Sequence, residues 1–152
     1  MENCRLIGTV DARLDTKGRV FLPAAFRRCL HAEEGFSLIL RKDIFENCLV
    51  LYTQEEWYNR LDVLRSRLSQ WNRQQRQIFR QFVSDAEWVT LDAGGRFLIP
   101  KRYLKMVGIE QEITFVGMDD TIEIWDKGCH ADGFSSDLGN LLENTMDAIP
   151  QW

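Results

Sequence analysis

Hydrophobic and polar positions change over short distances along the chain, which predicts a succession of brief strands and helices. Residues 36–40 and 112–116 are mostly apolar runs typical of buried strands, and a polar turn follows each of them. Two alternating segments that end in an aromatic residue come next, at 49–52 and 122–125. Because these strand patterns alternate with short helical stretches, the chain is predicted to have an α+β fold.

The same series of elements occurs twice, at a spacing of 77 residues. The segment LDTKGRVFLP at 14–23 aligns with LDAGGRFLIP at 91–100, with five identical positions of ten and three more that are apolar in both. A short helical stretch follows each proline, at 24–30 and 101–107, and proline suits the first turn of a helix. Each copy is therefore predicted to contain two strands, a short helix and two more strands.

The shared motif has the local chemistry of a tight turn. Gly18 and Gly95 can adopt the positive φ angles that tight strand connections often require. Asp15 and Asp92 can accept backbone N–H groups within the turn. The two aspartates are therefore predicted to form the turns rather than to bind a ligand.

A helical insert is predicted between the two copies. Thr53 and Glu56 have the spacing of a capping box, and an apolar stripe at helical spacing follows. A break near Asn72 separates it from a second amphipathic segment at 78–83. The stripe is interpreted as core packing and is also compatible with a contact between protomers. Its members are Trp57, Leu61, Leu64, Leu68 and Trp71.

Charge is distributed unevenly over the 152 residues, although the net charge is only −4. Residues 1–32 carry six Lys or Arg against three Asp or Glu, and residues 60–80 carry six against one. Residues 110–152 carry one against ten. This asymmetry favours a cationic region that faces nucleic acid and an acidic tail, with solvated helix faces as the alternative for 60–80.

Several classes of protein are not indicated by the sequence. No apolar run is long enough for a membrane span, and the N-terminus lacks the apolar segment of a secretory signal, so reduced thiols in the cytoplasm are expected. With two histidines and no CxxC pair, the sequence predicts no metal site, no cofactor and no catalytic residue. GxSxG, Walker A and HExxH motifs are also absent, so an enzyme is not predicted.

The duplicated LDxxGRhhhP motif, the insert between its copies, and the strands reading LVLYTQEEW and IEIWD closely resemble the MraZ family of bacterial proteins. The resemblance covers roughly residues 6–127. It implies a duplicated AbrB-like swapped-hairpin β-barrel with pseudo-two-fold symmetry inside one chain. The repeats would occupy 6–53 and 86–127, with the helical insert at 54–85 between them. An acidic tail at 128–152 would either form a short helix or dock loosely.

MraZ-like proteins are DNA-binding transcriptional regulators of their own division and cell-wall gene cluster, they assemble into rings, and they are not enzymes. The resemblance therefore implies promoter repeats of double-stranded DNA and further copies of the chain as partners, with no membrane. It also implies a cytoplasmic, nucleoid-associated protein without cofactors. The alternative is an AbrB-like module that binds a protein, such as an antitoxin-type subunit, which the acidic tail would suit. Two copies of the motif rather than one favour the regulator.

The family's Asp-x-x-x-Arg motif coincides with both turns of this sequence. The second copy has Thr90 and Gly94 at the places of two cations of the first copy, which makes the first copy the stronger DNA-binding candidate. The role of Arg96 stays open between an ion pair with Asp92 and an outward cation. Arg27 and Arg28 stay open between a pair inside the barrel and a DNA contact. The predicted DNA-binding residues are Arg19, Lys17, Arg13 and Arg96.

Overall fold

The computed structural model describes residues 4–129 and 138–145. The first repeat contains the predicted two strands, short helix and two strands. The helix has the predicted bounds, because its proline start and apolar spacing are local signals. The elements are β1 (Thr9–Arg13), β2 (Arg19–Phe21), α1 (Ala24–Leu30), β3 (Ser37–Lys42) and β4 (Leu49–Thr53).

The insert forms two helices, α2 (Gln54–Arg67) and α3 (Arg73–Ser84). Thr53 Oγ1 accepts a hydrogen bond from the Glu56 backbone N–H at 3.1 Å, so the predicted cap of α2 is confirmed. Asn72 Oδ1 accepts one from the Gln75 backbone N–H at 3.1 Å. The predicted break near Asn72 is therefore the N-cap of α3.

The second repeat has the same order of elements as the first. Its short helix again has the predicted bounds. Part of the tail forms a further short helix, and the remainder of the predicted tail helix lies outside the described residues. The elements are β5 (Glu87–Thr90), β6 (Arg96–Leu98), α4 (Lys101–Val107), β7 (Glu112–Gly117), β8 (Thr121–Asp126) and α5 (Leu138–Glu143).

Each of the eight strands described pairs with a strand of the other repeat, and β3–β4 and β7–β8 also pair within their own repeats. Six strands form an antiparallel sheet in the order β1–β7–β8–β4–β3–β5, and β2 and β6 form a separate two-stranded ribbon. The first strand of each repeat lies beside the third strand of the other, since β1 pairs with β7 and β5 pairs with β3. The predicted α+β class is confirmed, with an antiparallel sheet as its main layer.

Alternation along the strands gives the six-stranded sheet two different faces. On one face, the core face, Leu38 and Leu40 join the main hydrophobic core together with α1, α4 and the ribbon. The ribbon contributes Val20 and Phe97, which are 2% and 1% exposed. The opposite face carries the insert, and we call it the hairpin face.

The insert is anchored at its base rather than along its length. The ring of Trp57 stacks on that of Phe82 with 5.1 Å between centroids and packs on the hairpin face against Ile39, Val50 and Tyr52. Leu61, Leu64 and Leu68 are only half-buried, and Trp71 is 91% exposed. Core packing was therefore a wrong prediction for Trp71, because α2 ends at Arg67 and the chain has left the helical stripe before it.

Two cysteines form a disulfide, so the expectation that all thiols are free was wrong. Cys4 and Cys29 are bonded with their Cα atoms 5.3 Å apart, which ties the segment before β1 to α1. Cys48 is buried and free, and burial raises the pKa of its thiol well above the ordinary value. Cys129 is free and exposed. The pairing escaped sequence reasoning because 25 residues separate the partners and only the fold brings them together.

None of the helices in the described ranges combines the length and the apolar character that crossing a membrane requires.

Candidate nucleic-acid interface

The turn that connects β1 to β2, at residues 14–19, is organised around the Asp15 carboxylate. Its Oδ1 accepts the backbone N–H groups of Lys17 and Arg19, each at 2.9 Å. Its Oδ2 accepts the Nε–H of Arg19 at 3.1 Å. Backbone bonds from Asp15 N to Arg19 O and from Gly18 N to Asp15 O close the loop. One carboxylate thus fixes both the turn and the arginine that leaves it.

The turn that connects β5 to β6, at residues 91–96, repeats this arrangement. Asp92 Oδ1 accepts the backbone N–H groups of Gly94 and Arg96, each at 2.9 Å, and Oδ2 accepts the Nε–H of Arg96 at 3.1 Å. Both aspartates are therefore turn-forming residues, as predicted. Arg96 forms the ion pair with Asp92 and still has a side chain 36% exposed, so the two roles left open for it are compatible.

The two turns are joined through the backbone of the ribbon. The Leu22 N–H donates to the Gly95 carbonyl oxygen at 3.0 Å, and the Ile99 N–H donates to the Gly18 carbonyl oxygen at 2.9 Å. Gly18 and Gly95 have φ angles of 91° and 85°, a region that glycine enters without steric cost. Each turn therefore depends on the other repeat for its position, which a motif read along one segment does not reveal.

Hydrogen bonding keeps both turn carboxylates ionised. The backbone N–H of Arg19 lowers the pKa of Asp15, with smaller contributions from the Lys17 N–H and the Arg19 side chain. The backbone N–H of Arg96 lowers the pKa of Asp92 in the same way. Each aspartate is therefore a fixed anion that orients its arginine.

This pairing uses only part of each guanidinium. An arginine has five N–H donors, and Asp15 and Asp92 accept only the Nε–H of Arg19 and Arg96. The Nη groups of these two arginines make no hydrogen bond with any described residue. Those groups are the donors that bind a phosphate or the O6 and N7 atoms of guanine.

Lys17 and Arg13 are in different electrostatic surroundings. The Lys17 side chain is exposed and forms no ion pair with the described residues. Arg13 donates from Nη2 to Gln111 Oε1 at 3.1 Å and lines a shallow depression with Glu110, Glu112 and Asp126. Among the predicted cations, Lys17 therefore has no charged partner in the described residues, whereas Arg13 shares its depression with three carboxylates and with Lys127.

Arg27 belongs to the scaffold of the second turn. Its Nε–H donates to the Leu22 carbonyl oxygen at 2.9 Å. A methyl group added at Gly95 would lie 3.1–3.2 Å from the Arg27 side chain, so the arginine packs directly against this turn. Arg28 is exposed on α1. The alternative left open for the two arginines is thus answered for Arg27, which is held inside the fold by a backbone carbonyl.

Two exposed apolar residues beside the arginines were missed by sequence reasoning. Phe21 and Leu98 are 56% and 48% exposed on the ribbon. The signal was the alternation itself, because Val20 and Phe97 face the core and their neighbours in a strand must face outward. Within the described ranges, no group of three or more His, Cys, Asp or Glu side chains is arranged to hold a metal ion.

The model of the MraZ protein family, described as antitoxin-like, matches residues 6–81 and 82–136. The chain belongs to the MraZ family. The MraZ match spans both turns and the insert between them, so the turns described above lie inside the family's shared region.

Individual MraZ relatives are similar over most of their length. The transcriptional regulator MraZ of Phocaeicola vulgatus is 51% identical over 144 residues, which cover 93% of this chain and 94% of that protein. The transcriptional regulator MraZ of Bacteroides fragilis is 54% identical over 123 residues, covering 81% and 78%. That of Bacteroides thetaiotaomicron is 49% identical over 145 residues, covering 94% and 93%.

Proposed function

We propose that this chain is a non-enzymatic, sequence-specific DNA-binding regulator that acts on the promoter of its own division and cell-wall gene cluster. The observation that carries the proposal is the duplicated Asp–Arg turn. In it, a carboxylate orients a half-exposed guanidinium by one hydrogen bond and leaves its Nη groups for a ligand. The names of the relatives, all transcriptional regulators, support the same function.

The fold supports a swapped-hairpin barrel of the AbrB-like type as the frame of this interface. Exchange of first strands between repeats, through β1 with β7 and β5 with β3, is the feature that favours it. Val20 pairs with Phe97 in the ribbon, and these two residues are equivalent in the repeat. An approximate two-fold axis through this pair would place Arg19 and Arg96 symmetrically.

The first turn is proposed as the main DNA contact. Arg19 supplies a planar donor group for guanine or phosphate, and Lys17 supplies a salt-dependent phosphate contact. Arg96 acts as the second arginine of the same surface. Arg13 is proposed only as a peripheral cation, because the depression that it lines carries three carboxylates and one other cation, Lys127.

One protomer offers few such cations, so the proposal includes a ring of several protomers. A ring that presents its first turns on one side would engage several promoter repeats at once. Once the turn of one protomer has bound, the turns of its neighbours in the ring would be held close to the next promoter repeats. Affinity would then come from this high effective concentration. The same arrangement suits a cytoplasmic protein located on the nucleoid.

Binding to DNA from the region upstream of the chain's own gene tests this function. We expect the wild type to shift this duplex in a gel and Arg19→Ala to bind at least about fivefold more weakly, since a good bidentate arginine–base contact is worth about 1–3 kcal/mol. Arg60→Ala is a matched control. Arg60 also forms an ion pair with a carboxylate, Glu56, but lies by Tyr52 on the hairpin face. Equal binding by Arg19→Ala and wild type would reject the proposed site, and absence of binding by the wild type would reject the function.

An antitoxin-type subunit remains the second candidate, and the acidic C-terminal part of the chain favours it. Of the eleven charged side chains in residues 110–152, ten are acidic, which suits a basic protein partner. Affinity purification from the native host separates the candidates. A stoichiometric protein partner without bound DNA would favour the antitoxin-type subunit, and promoter DNA in the purified complex would favour the regulator.

A further inference from the structure

The outer face of the ribbon combines two arginines with two exposed apolar side chains. Strand alternation places Arg19 and Phe21 of β2 on this face, together with Arg96 and Leu98 of β6. Arg19 lies opposite Leu98, and Phe21 lies opposite Arg96. The two arginines therefore lie on one diagonal of this face, and the two apolar residues lie on the other.

The core does not account for the two apolar residues. Val20 and Phe97 fill the core beneath the ribbon, whereas Phe21 and Leu98 keep about half of their surface in water. The Arg96 guanidinium lies over the Phe21 ring, with its central carbon 5.8 Å from the ring centroid. An exposed aromatic ring beside a guanidinium, on a face that carries a second arginine, indicates a ligand that offers both negative and apolar groups.

Double-stranded DNA offers both groups in its major groove. The groove is wide enough for a two-stranded ribbon, and the thymine 5-methyl is the apolar group among the base edges that it exposes. Charge complementarity favours this ligand, because Arg19 and Arg96 lie across the ribbon from the apolar pair and Lys17 is exposed on the turn that leads into β2. The two aspartates nearby are ionised, but each is already engaged by hydrogen bonds within its turn and by an ion pair with its own arginine.

We infer that Phe21 and Leu98 contact thymine methyl groups in the major groove and thereby contribute to sequence specificity. The inference rests on the proposed DNA-binding function and adds which base is read and by which residues. Each arginine lies directly across the ribbon from an apolar side chain. The face therefore suits sites in which a thymine lies close to a guanine or phosphate contact of Arg19 or Arg96.

The two apolar residues are not equivalent. Phe21 has the larger side chain and belongs to the repeat whose turn carries Lys17, whereas the turn before Leu98 has Gly94 at that position. Phe21 is therefore expected to make the stronger methyl contact, and Leu98 the weaker one.

Replacing thymine by uracil removes the methyl group and leaves the Watson–Crick pairing intact. The probe is the duplex upstream of the chain's own gene, amplified with either dTTP or dUTP, and binding is measured in parallel. We expect the wild type to bind the uracil duplex about fourfold more weakly for each contacted methyl group, taking about 0.8 kcal/mol for one buried carbon. Phe21→Ala should lose most of the discrimination and keep only the weaker part that Leu98 supplies, and Leu98→Ala should keep most of it.

Two further variants keep the test decisive. Phe21→Leu copies the residue of the second repeat and should retain part of the discrimination. Phe45→Ala removes a ring that is 88% exposed in the connection between β3 and β4 and should discriminate as the wild type does. Circular dichroism and thermal melting establish that each variant folds.

Failure of the inference is distinct from failure of the proposed function. If the wild type binds DNA through Arg19 but does not distinguish thymine from uracil, the methyl contact is rejected and the regulator stands. If Phe21→Ala changes the oligomeric state and keeps the full discrimination, the ribbon is a contact between copies and the inference is also rejected. If the wild type binds neither duplex, the proposed function fails and the inference fails with it.

Discussion

The turns at residues 14–19 and 91–96 have the same five hydrogen bonds, with lengths that agree within 0.1 Å. Their surfaces differ, because Lys17 and Phe21 of the first repeat correspond to Gly94 and Leu98 of the second. An aspartate, a glycine and an arginine are enough to define this backbone. The positions that do not support the backbone carry different side chains, and those are the positions proposed to distinguish the two repeats on DNA.

The largest expected difference between the turns concerns their glycines. A methyl group added at Gly18 would lie 2.9 Å from the carbonyl oxygen of Ile99, which is backbone and cannot move away easily. At Gly95 it would meet the flexible Arg27 side chain at 3.1–3.2 Å. We expect Gly18→Ala to reduce the free energy of unfolding by about 2–4 kcal/mol and Gly95→Ala by about 1–2 kcal/mol, since both have positive φ but only one clashes with backbone.

Urea denaturation at one protein concentration measures both glycine variants. Gly95→Ala combined with Arg27→Ala is an informative control, because it separates the φ contribution from the side-chain contact. Equal losses for the two single variants would mean that the backbone approach at Gly18 relaxes without cost, which would contradict the proposed difference.

Local features of this fold were predictable, and contacts between the repeats were not. The bounds of α1 and α4 follow from a proline, a helical apolar spacing and a following residue that ends the helix, all within a few positions. The pairing of β1 with β7 joins residues about a hundred positions apart, and nothing in either segment specifies its partner. The Cys4–Cys29 bond escaped for the same reason.

In the candidate site, too, the features set by neighbouring residues were predictable, and those that depend on distant elements were not. The turn-forming roles of Asp15 and Asp92 follow from short-range chemistry, since an aspartate accepts N–H groups two and four residues ahead of it. The acidic surroundings of Arg13 depend on β7 and β8, and the packing of Arg27 depends on the second turn. Sequence patterns therefore pointed to the arginine that pairs with each turn aspartate, but could not describe the surroundings of the other cations.

Exchanging the residues at positions 17 and 94 tests whether surface charge separates the repeats. Gly94→Lys adds a cation at a position where a Cβ atom would meet only ordinary contacts, 3.5 Å or more away. Lys17→Gly removes the corresponding charge, and Lys17→Gln removes it without loosening the backbone. If each lysine neutralises one phosphate, DNA affinity changes about fivefold at about 0.15 M salt, and the slope of log K against log salt changes by about 0.9.

Gel-shift titrations at several salt concentrations measure these variants. Lys17→Gly and Lys17→Gln should bind more weakly by the same factor, and Gly94→Lys should bind more tightly. Weaker binding by Lys17→Gly alone would attribute the effect to turn flexibility. An unchanged salt slope in all three variants would remove Lys17 from the proposed interface.

A smaller difference concerns the ends of the short helices. His31, with φ 52°, is the C-cap of α1, and Gly108, with φ 70°, is the C-cap of α4, so the chain leaves both helices through the left-handed region. Histidine is strained there and glycine is not. We expect His31→Gly to stabilise the protein by about 0.5–1 kcal/mol and Gly108→Ala to destabilise it by a similar amount. Thermal melting of both variants measures these changes in stability, and Gly108→Asn is a control because asparagine tolerates the left-handed region better than alanine. Destabilisation by His31→Gly would contradict the predicted strain at His31.

The smallest expected effect is on acid stability, and it should be the same in both turns. Hydrogen bonds from backbone N–H groups, chiefly those of Arg19 and Arg96, lower the pKa values of Asp15 and Asp92 in the folded protein. A lowered pKa means that the charged carboxylate contributes stability above the unfolded value of about 3.9, and that this contribution is lost as the pH falls through the folded value. Asp15→Asn and Asp92→Asn should therefore be less stable at neutral pH and should each lose less stability than wild type below about pH 4.

Urea unfolding between neutral pH and pH 3 compares the two asparagine variants directly. The two carboxylates accept three equivalent N–H groups at the same distances. The flattening, meaning the reduction in the stability lost on acidification, should therefore be equal for both variants and additive in the double variant. A larger flattening for Asp15→Asn would show that the charge of Lys17 acts on its own turn. The difference in charge between the repeats would then alter the stability of the turn itself, and not only the surface that is proposed to bind DNA.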